Sequence, residues 1–164
     1  MRKIALLVVL LAAVAAPGVV LAGEIGASDG CLVVQNAKGI VTVNAKGTTV
    51  GRIDQGQVTV TDPVVGDGTV RVTGYDEVER LSDIKKRYSG ISVVRFRASG
   101  RTTIRAEAIG IDLSAVGRGK VTVNGTGFFD PGTFSLDSNS FCQESFKALP
   151  DLPQTFLLGS ASTI

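Results

Sequence analysis

The sequence predicts an all-β domain built as an antiparallel sandwich or barrel of about nine short strands. Three observations lead to this fold class. Apolar and polar residues alternate in short runs, the runs are rich in Val, Ile, Thr and Phe, and clusters of Gly, Asp and Asn separate them. A β-solenoid is the alternative because residues 108–127 have a short, glycine-spaced rhythm, although no fixed repeat period extends along the chain.

The first residues have the pattern of a secretory signal peptide. Arg2 and Lys3 precede an apolar run without charged residues that extends from Ile4 to Ala22, and Pro17 breaks that run before its end. We expect cleavage after Ala22. An uncleaved membrane anchor is the alternative, because the nineteen residues of the run come close to the roughly 20 that span a bilayer. In that case membrane contact would be limited to this segment.

The cleavage site defines the expected domain organisation. Residues 1–22 are the signal peptide, 23–160 a single all-β domain and 161–164 a loose C-terminal tail. Removing the signal peptide takes away two of the seventeen basic residues and none of the fifteen acidic ones, which leaves a neutral domain. Because that domain is neutral and has no Trp and only two Tyr, nucleic acid is not an expected partner. We expect a protein that is secreted or associated with the cell envelope.

The strand pattern continues from Cys31 to the C-terminal part of the chain. In order, the predicted strands are 31–35, 39–45, 48–53, 57–62, 69–74, 92–98, 102–113, 120–125 and 132–137. Clusters with turn-forming residues separate them and are predicted to be turns at 45–47, 54–56, 99–100, 117–119, 124–125 and 130–132.

Residues 75–90 depart from this pattern. Val78, Leu81, Ile84 and Tyr88 recur at spacings of three, three and four, which favours a short surface helix. Acidic residues come first and basic residues last, as the helix dipole prefers. A long polar hairpin arm is the alternative.

The two cysteines, Cys31 and Cys142, are predicted to form a disulfide because the chain is expected to be exported. A bridge across so long a loop contributes on the order of 4 kcal/mol in the chain-entropy model. The alternative is that the two cysteines are unpaired small residues of the core.

The sequence has no histidine, which excludes Ser-His-Asp and Cys-His catalysis and histidine metal sites. We expect no metal, no cofactor and no enzymatic activity. A small hydrolase built on two carboxylates is the alternative, with candidates Glu107, Asp112, Asp130 and Asp137. No spacing in the sequence brings two of these carboxylates together.

Four arginines lie within residues 93–108 and form the candidate ligand-binding face: Arg95, Arg97, Arg101 and Arg105. We interpret the stretch as one hairpin that turns at 99–100, with its apolar residues inward and these arginines outward. Acidic residues such as those of 76–83 are expected to neutralise the face. The alternative is that the face binds an anionic envelope polymer or another envelope protein.

Residues 110–136 (GIDLSAVGRGKVTVNGTGFFDPGTFSL) and 87–98 (RYSGISVVRFRA) resemble segments of bacterial secreted β-proteins of unassigned function. The resemblance implies an exported all-β protein and carries no active site. The function expected from the sequence is therefore a non-catalytic structural or binding module of the cell envelope or extracellular space. A carbohydrate- or envelope-polymer-binding domain that uses the basic hairpin is the main alternative.

Overall fold

The computed structural model describes residues 29–133 and 146–159, so the predicted signal peptide and C-terminal tail lie outside the described residues. The described part of the chain forms eight β-strands. They are β1 (Gly30–Ile53), β2 (Gln55–Thr61), β3 (Val70–Thr73), β4 (Glu77–Ser82), β5 (Lys85–Gly90), β6 (Val94–Thr133), β7 (Lys147–Ala148) and β8 (Gln154–Leu158). Within these residues no helix is long and apolar enough to cross a membrane.

The two long strands, β1 and β6, pair with each other twice. Val43 of β1, for example, has Ile104 of β6 on one side and Val121 of β6 on the other. Residues 113–117 of β6 likewise have β1 on both sides, with Leu113 opposite both Val34 and Gly51. The shorter strands extend this pair: β2 joins β6 to β5, β4 follows β5, and β3, β7 and β8 each pair with β6. Every ladder is antiparallel.

One face of this sheet forms a single hydrophobic core. Its largest fully buried side chains include Leu32, Val43, Ile53, Ile104 and Ile111. The described residues contain no second kind of element that could cover this face. The sheet therefore buries these residues by folding over on itself, as the layers of a sandwich do.

The predicted all-β, antiparallel fold class is confirmed. The barrel alternative is wrong because the sheet is not closed: in the described residues β4 ends the strand order and pairs only with β5. The solenoid alternative is also wrong, since stacked coils would give parallel ladders. The expected nine short strands differ from the observed eight as well. Three predicted strands merge into β1, and three merge into β6, which also contains the first two residues of the strand predicted at 132–137.

This merging occurs because the chain continues as strand through most of the predicted turns. The turn predicted at 54–56 does separate β1 from β2, whereas those at 45–47, 99–100, 117–119, 124–125 and 130–132 lie within β1 or β6. Gly47 of β1 lies opposite Gly117 and Gly100 of β6. A Cβ on Gly117 would overlap the Lys46 carbonyl oxygen, and one on Gly47 would overlap that of Val116. Glycine at these positions permits the backbones of β1 and β6 to approach closely.

Residues 75–90 form a hairpin, so the helix favoured by the side-chain spacing is wrong. Val78 of β4 lies opposite Tyr88 of β5, and Glu79 accepts a 3.0 Å hydrogen bond from its ladder partner Arg87. β5 also pairs with β2 along its whole length. The backbone pairing with β2 outweighs the weak local preference for a helix.

Cys31 is buried in β1, with 1% of its surface exposed. Its predicted partner, Cys142, lies outside the described residues. The disulfide therefore stays a prediction.

Candidate anion-binding groove

An open groove of about 940 Å³ lies on the outer surface of the sheet, where β1, β3 and β6 run side by side. We call it the arginine groove because four arginines line it: Arg52, Arg71, Arg95 and Arg97. Its volume is near the upper end of the 300–1,000 Å³ that is typical of small-ligand sites.

Strand alternation points two of these arginines outward. Val94, Phe96 and Ala98 are 0–3% exposed and belong to the core, whereas Arg95 and Arg97 between them are exposed. The prediction that Phe96 points inward and that Arg95 and Arg97 point outward is therefore confirmed.

The ladder register brings the other two arginines beside them. Arg52 of β1 lies opposite Arg95, and Arg71 of β3 lies opposite Arg97. Neighbouring strands are about 5 Å apart, and residues i and i+2 along one strand are about 7 Å apart. The four side chains thus start from two adjacent rows of the sheet.

Arg52 is held by an acidic residue of the same groove. Its Nη2 and Nε lie 2.8 and 2.9 Å from Oδ2 of Asp112, and its Nη1 lies 4.0 Å from Oδ1 of Asp54. The hydrogen bond and the charge of Asp112, followed by the charge of Asp54, raise the pKa of Arg52 above its ordinary value. Arg52 is therefore already neutralised.

Asp112 also fixes the backbone at the end of the groove. Asn36 adopts a left-handed conformation with φ of 47°, and the ladder shifts register between Gln35 and Ala37. The Asn36 N–H at this bulge donates a 2.8 Å hydrogen bond to Oδ1 of Asp112. β-Bulges are common next to binding sites because they redirect side chains.

The other three arginines of the groove have no such partner. Among the residues that the structure describes, the guanidinium groups of Arg71, Arg95 and Arg97 make no hydrogen bond or ion pair. Like charges on adjacent strands are unfavourable by some tenths of a kcal/mol, roughly, for each pair. The groove therefore has an excess of positive charge at this end.

Three of the four acidic residues of 76–83, which we expected to neutralise the arginines, are engaged elsewhere, and the fourth, Glu77, makes no ion pair with a described residue. Glu79 pairs with Arg87, Asp83 pairs with Arg80, and Asp76 accepts a 2.8 Å hydrogen bond from the Ile91 N–H. This expectation is wrong because Glu79 and Asp83 pair with arginines of their own hairpin.

The remaining two arginines of the predicted face lie outside the arginine groove. Arg105 contacts Glu107 at 3.3 Å and lines a smaller depression of about 300 Å³. Arg101 is exposed, and its backbone N–H donates to Asp67 Oδ2 at 3.0 Å. The predicted hairpin is wrong, because β6 continues through Ser99 and Gly100. The four predicted arginines therefore lie along one strand and do not form one site.

Sequence reasoning missed Arg52 and Arg71. Each lies in a predicted strand, 48–53 or 69–74, at a position where the alternation points it outward. The missing information was the register that places both strands beside β6.

The candidate carboxylates of the hydrolase alternative lie at different places in the structure. Asp112 lines the arginine groove, Glu107 lines the smaller depression, and Asp130 is 3% exposed. Asp137 lies outside the described residues. No cluster of three or more His, Cys, Asp or Glu residues that could hold a metal ion is found in residues 29–133 and 146–159.

Comparisons with protein-family models, with curated proteins and with solved structures give no match to this chain. The arginine groove is therefore interpreted from its own residues.

Proposed function

We propose that the protein is a non-catalytic binding module whose arginine groove holds an anionic polymer in the extracellular space or the cell envelope. One observation carries this proposal: Arg71, Arg95 and Arg97 share one groove and have no acidic partner among the described residues. A binding partner that supplies negative charge would relieve their mutual repulsion.

Guanidinium groups suit this role because two of their N–H groups can donate hydrogen bonds to two oxygens of the same carboxylate or phosphate. The backbone positions of arginines on a sheet are also held in place by the ladder hydrogen bonds. The ladders fix Arg97 opposite Arg71, and Arg95 lies two residues away from Arg97 on the same strand. A ligand with a planar anionic group could bridge two of them.

The extracytoplasmic location is supported by the signal-peptide pattern of residues 1–22. The fold is compatible with that location, since a sheet with one continuous core needs no metal or cofactor to be stable.

The experiment compares two arginines of the same strand. Arg97→Ala removes a guanidinium from the groove, and Arg101→Ala removes an exposed guanidinium of the same strand face outside it. Both variants lose one positive charge, so they differ only in position. Binding of the full chain without its signal peptide would be measured by isothermal titration with hyaluronan, polygalacturonate and inorganic polyphosphate chains of matched length.

We expect Arg97→Ala to weaken the tightest interaction by about tenfold, since a charge-assisted hydrogen bond is worth about 1.5–3 kcal/mol. Arg101→Ala should change it by less than about twofold, and added salt should weaken binding in every case. Equal losses in the two variants would assign binding to the whole basic strand. Absence of Arg97-dependent binding to all three polymers would overturn the proposed function.

A further inference from the structure

The smaller depression on the sheet is separate from the arginine groove, and the two share no lining residue. Its volume of about 300 Å³ is at the lower end of the range for small-ligand sites. We call it the threonine depression because four threonines line it: Thr42, Thr59, Thr61 and Thr103. Every other residue that lines it is polar or charged.

Ladder register places three of these threonines at the corners of a triangle. Thr61 of β2 lies opposite Thr103 of β6, and Thr59 lies two residues before Thr61 on β2. Their backbones are thus about 5 Å apart between the strands and about 7 Å apart along β2. Threonine is β-branched, so each side chain has few rotamers and its hydroxyl is held near one place. None of the three hydroxyls makes a hydrogen bond to another residue that the structure describes, so all three can donate to a ligand.

Two basic side chains of β5 flank this triangle. Lys85 lies opposite Thr61, and Arg87 lies opposite Thr59. Lys85 makes no ion pair or hydrogen bond with a described residue. Arg87 is paired with Glu79 through Nη1, but its Nε is buried and has no hydrogen-bond partner in the described residues. The depression therefore has positive charge that its surroundings do not fully compensate.

The other two charges of the depression compensate each other. Glu107 lies 3.3 Å from Arg105, and it accepts a 3.3 Å hydrogen bond from the side-chain amide of Gln57. Glu107 is the one carboxylate among the residues that line the depression. A metal cation would find that carboxylate already engaged and would meet three basic side chains. An anion is therefore the favoured occupant.

We propose that the threonine depression binds a tetrahedral oxyanion, the phosphate or sulfate group of a larger ligand. Its oxygens accept hydrogen bonds from the three hydroxyls of the triangle and from the ammonium group of Lys85, and the Arg87 guanidinium adds positive charge beside them. The oxygens of a tetrahedral group point in several directions, so they can reach donors on three neighbouring strands. A carboxylate has two oxygens in one plane and satisfies fewer of these donors. This site does not depend on the proposed function, because no arginine of the groove takes part in it.

The test uses inorganic phosphate, inorganic sulfate and acetate as probes. Each is titrated at constant pH and ionic strength into the isotope-labelled full chain without its signal peptide, and NMR follows the backbone amides of residues 57–61, 85–87 and 103–107. We expect phosphate and sulfate to shift these amides saturably and to bind at least about tenfold more tightly than acetate, because acetate leaves donors unpaired. The tighter of the two tetrahedral anions indicates whether the natural group is a phosphate or a sulfate. No saturable shift, or equal affinity for all three anions, would overturn the proposal.

Lys85→Gln and Lys86→Gln form a matched pair of variants. Both remove one positive charge from an exposed position of β5, but Lys86 does not line the depression. Lys85→Gln should weaken binding of the tighter anion by about tenfold, and Lys86→Gln by less than about twofold. Thr61→Val replaces a hydroxyl with a methyl group of similar size and should weaken binding by about fivefold. Equal effects of the two lysine variants, together with no effect of Thr61→Val, would contradict the assignment of these donors.

Arg97→Ala distinguishes this site from the arginine groove. An anion bound in the groove would shift amides near Arg97, so that variant should leave the shifts around Thr61 unchanged. Lys85→Gln should in turn leave the Arg97-dependent binding of polymers unchanged. If Arg97→Ala abolishes the shifts around Thr61, the threonine depression is not a separate site and the proposed function remains. If polymers show no Arg97 dependence while phosphate or sulfate still shifts Thr61, the proposed function fails and this site remains.

Discussion

Asp112 of β6 and Arg52 of β1 are ladder partners, and an oxygen of the Asp112 carboxylate lies 2.8 Å from a guanidinium nitrogen of Arg52. The second oxygen of the same carboxylate accepts the backbone N–H of Asn36, at the bulge in β1. One side chain therefore connects two separate parts of β1 through β6. It positions an arginine of the groove and stabilises the bulge beside it.

The two roles of Asp112 are separated by two substitutions. Asp112→Ala leaves the Asn36 N–H without its acceptor, so the free energy of unfolding should fall by about 1 kcal/mol. Asp112→Asn keeps an acceptor oxygen and should cost less than about 0.5 kcal/mol. Urea denaturation followed by circular dichroism measures both. Equal losses would mean that the bond to Asn36 contributes nothing.

The close approach of β6 to β1 at Gly117 should tolerate no side chain. A Cβ there would overlap the carbonyl oxygen of Lys46, which belongs to the backbone of β1 and cannot rotate away. We expect Gly117→Ala to lower the free energy of unfolding by on the order of 3 kcal/mol.

Gly66→Ala is the matched control. Gly66 also has a positive φ, 88°, but nothing lies within 4 Å of the Cβ position. We expect Gly66→Ala to lower the free energy of unfolding by only about 1 kcal/mol, which is the cost of placing alanine in an unfavourable backbone conformation. Thermal unfolding of the two variants gives the comparison, and similar melting temperatures would show that the close approach of β1 and β6 at Gly117 is unimportant.

Tyr88 should make stability sensitive to alkaline pH. Its partial burial in the hairpin, and secondarily the nearby Tyr75, raise the pKa of its hydroxyl above the ordinary value of 10.0. The ring of Tyr75 lies 5.1 Å from that of Tyr88, measured between centroids. Below pH 10 the hydroxyl is protonated in both the folded and unfolded states. Above pH 10 the unfolded state loses the proton first, so stability should decline as pH rises from 10 through the folded pKa.

The measurement compares wild-type protein with Tyr88→Phe in urea at pH 8 and at pH 11. Because alkaline pH also acts on the rest of the protein, the informative quantity is the difference in stability loss between the two proteins. Tyr88→Phe should lose less stability between the two pH values than wild type does. An identical loss in both proteins would contradict the assignment to Tyr88.

The predicted disulfide between Cys31 and Cys142 gives a separate test. The intact exported protein should have a mass about two daltons below that of the reduced chain. A mass that corresponds to a chain beginning at residue 23 would confirm the cleavage site. Reduction should destabilise the protein by on the order of 4 kcal/mol. Cys31→Ser should remove the effect of the reductant, and a thiol-labelling count of two in the untreated protein would exclude the bridge.

Local patterns in the sequence predicted the class of the fold and the direction of individual side chains. Alternation alone placed Arg95 and Arg97 outward and Phe96 inward, because the side-chain period of a strand is a local property. The strand boundaries were wrong for a physical reason. Gly117 has the composition of a turn, and its true role depends on the backbone of β1 at Lys46, which is distant in sequence.

The candidate site was only half predictable for the same reason. Arg52 and Arg71 become neighbours of Arg95 and Arg97 through ladder register, and no local pattern specifies that register. The charge pairs of the β4–β5 hairpin show a similar dependence. Glu79 was available in sequence to neutralise Arg95, but the hairpin places it opposite Arg87.

The double passage of β6 along β1 also determines when the protein becomes stable. Gly30 at the start of β1 pairs with Gly117 and with Thr133, so the first strand of the sheet lacks one of its neighbours until the last part of β6 has been made. Contacts between such distant residues form slowly, because a long loop must close before they contribute. A chain cut short before residue 112 would leave β1 with a bare edge along its whole length. Folding of this domain is therefore completed from the C-terminal side, after synthesis has passed β6.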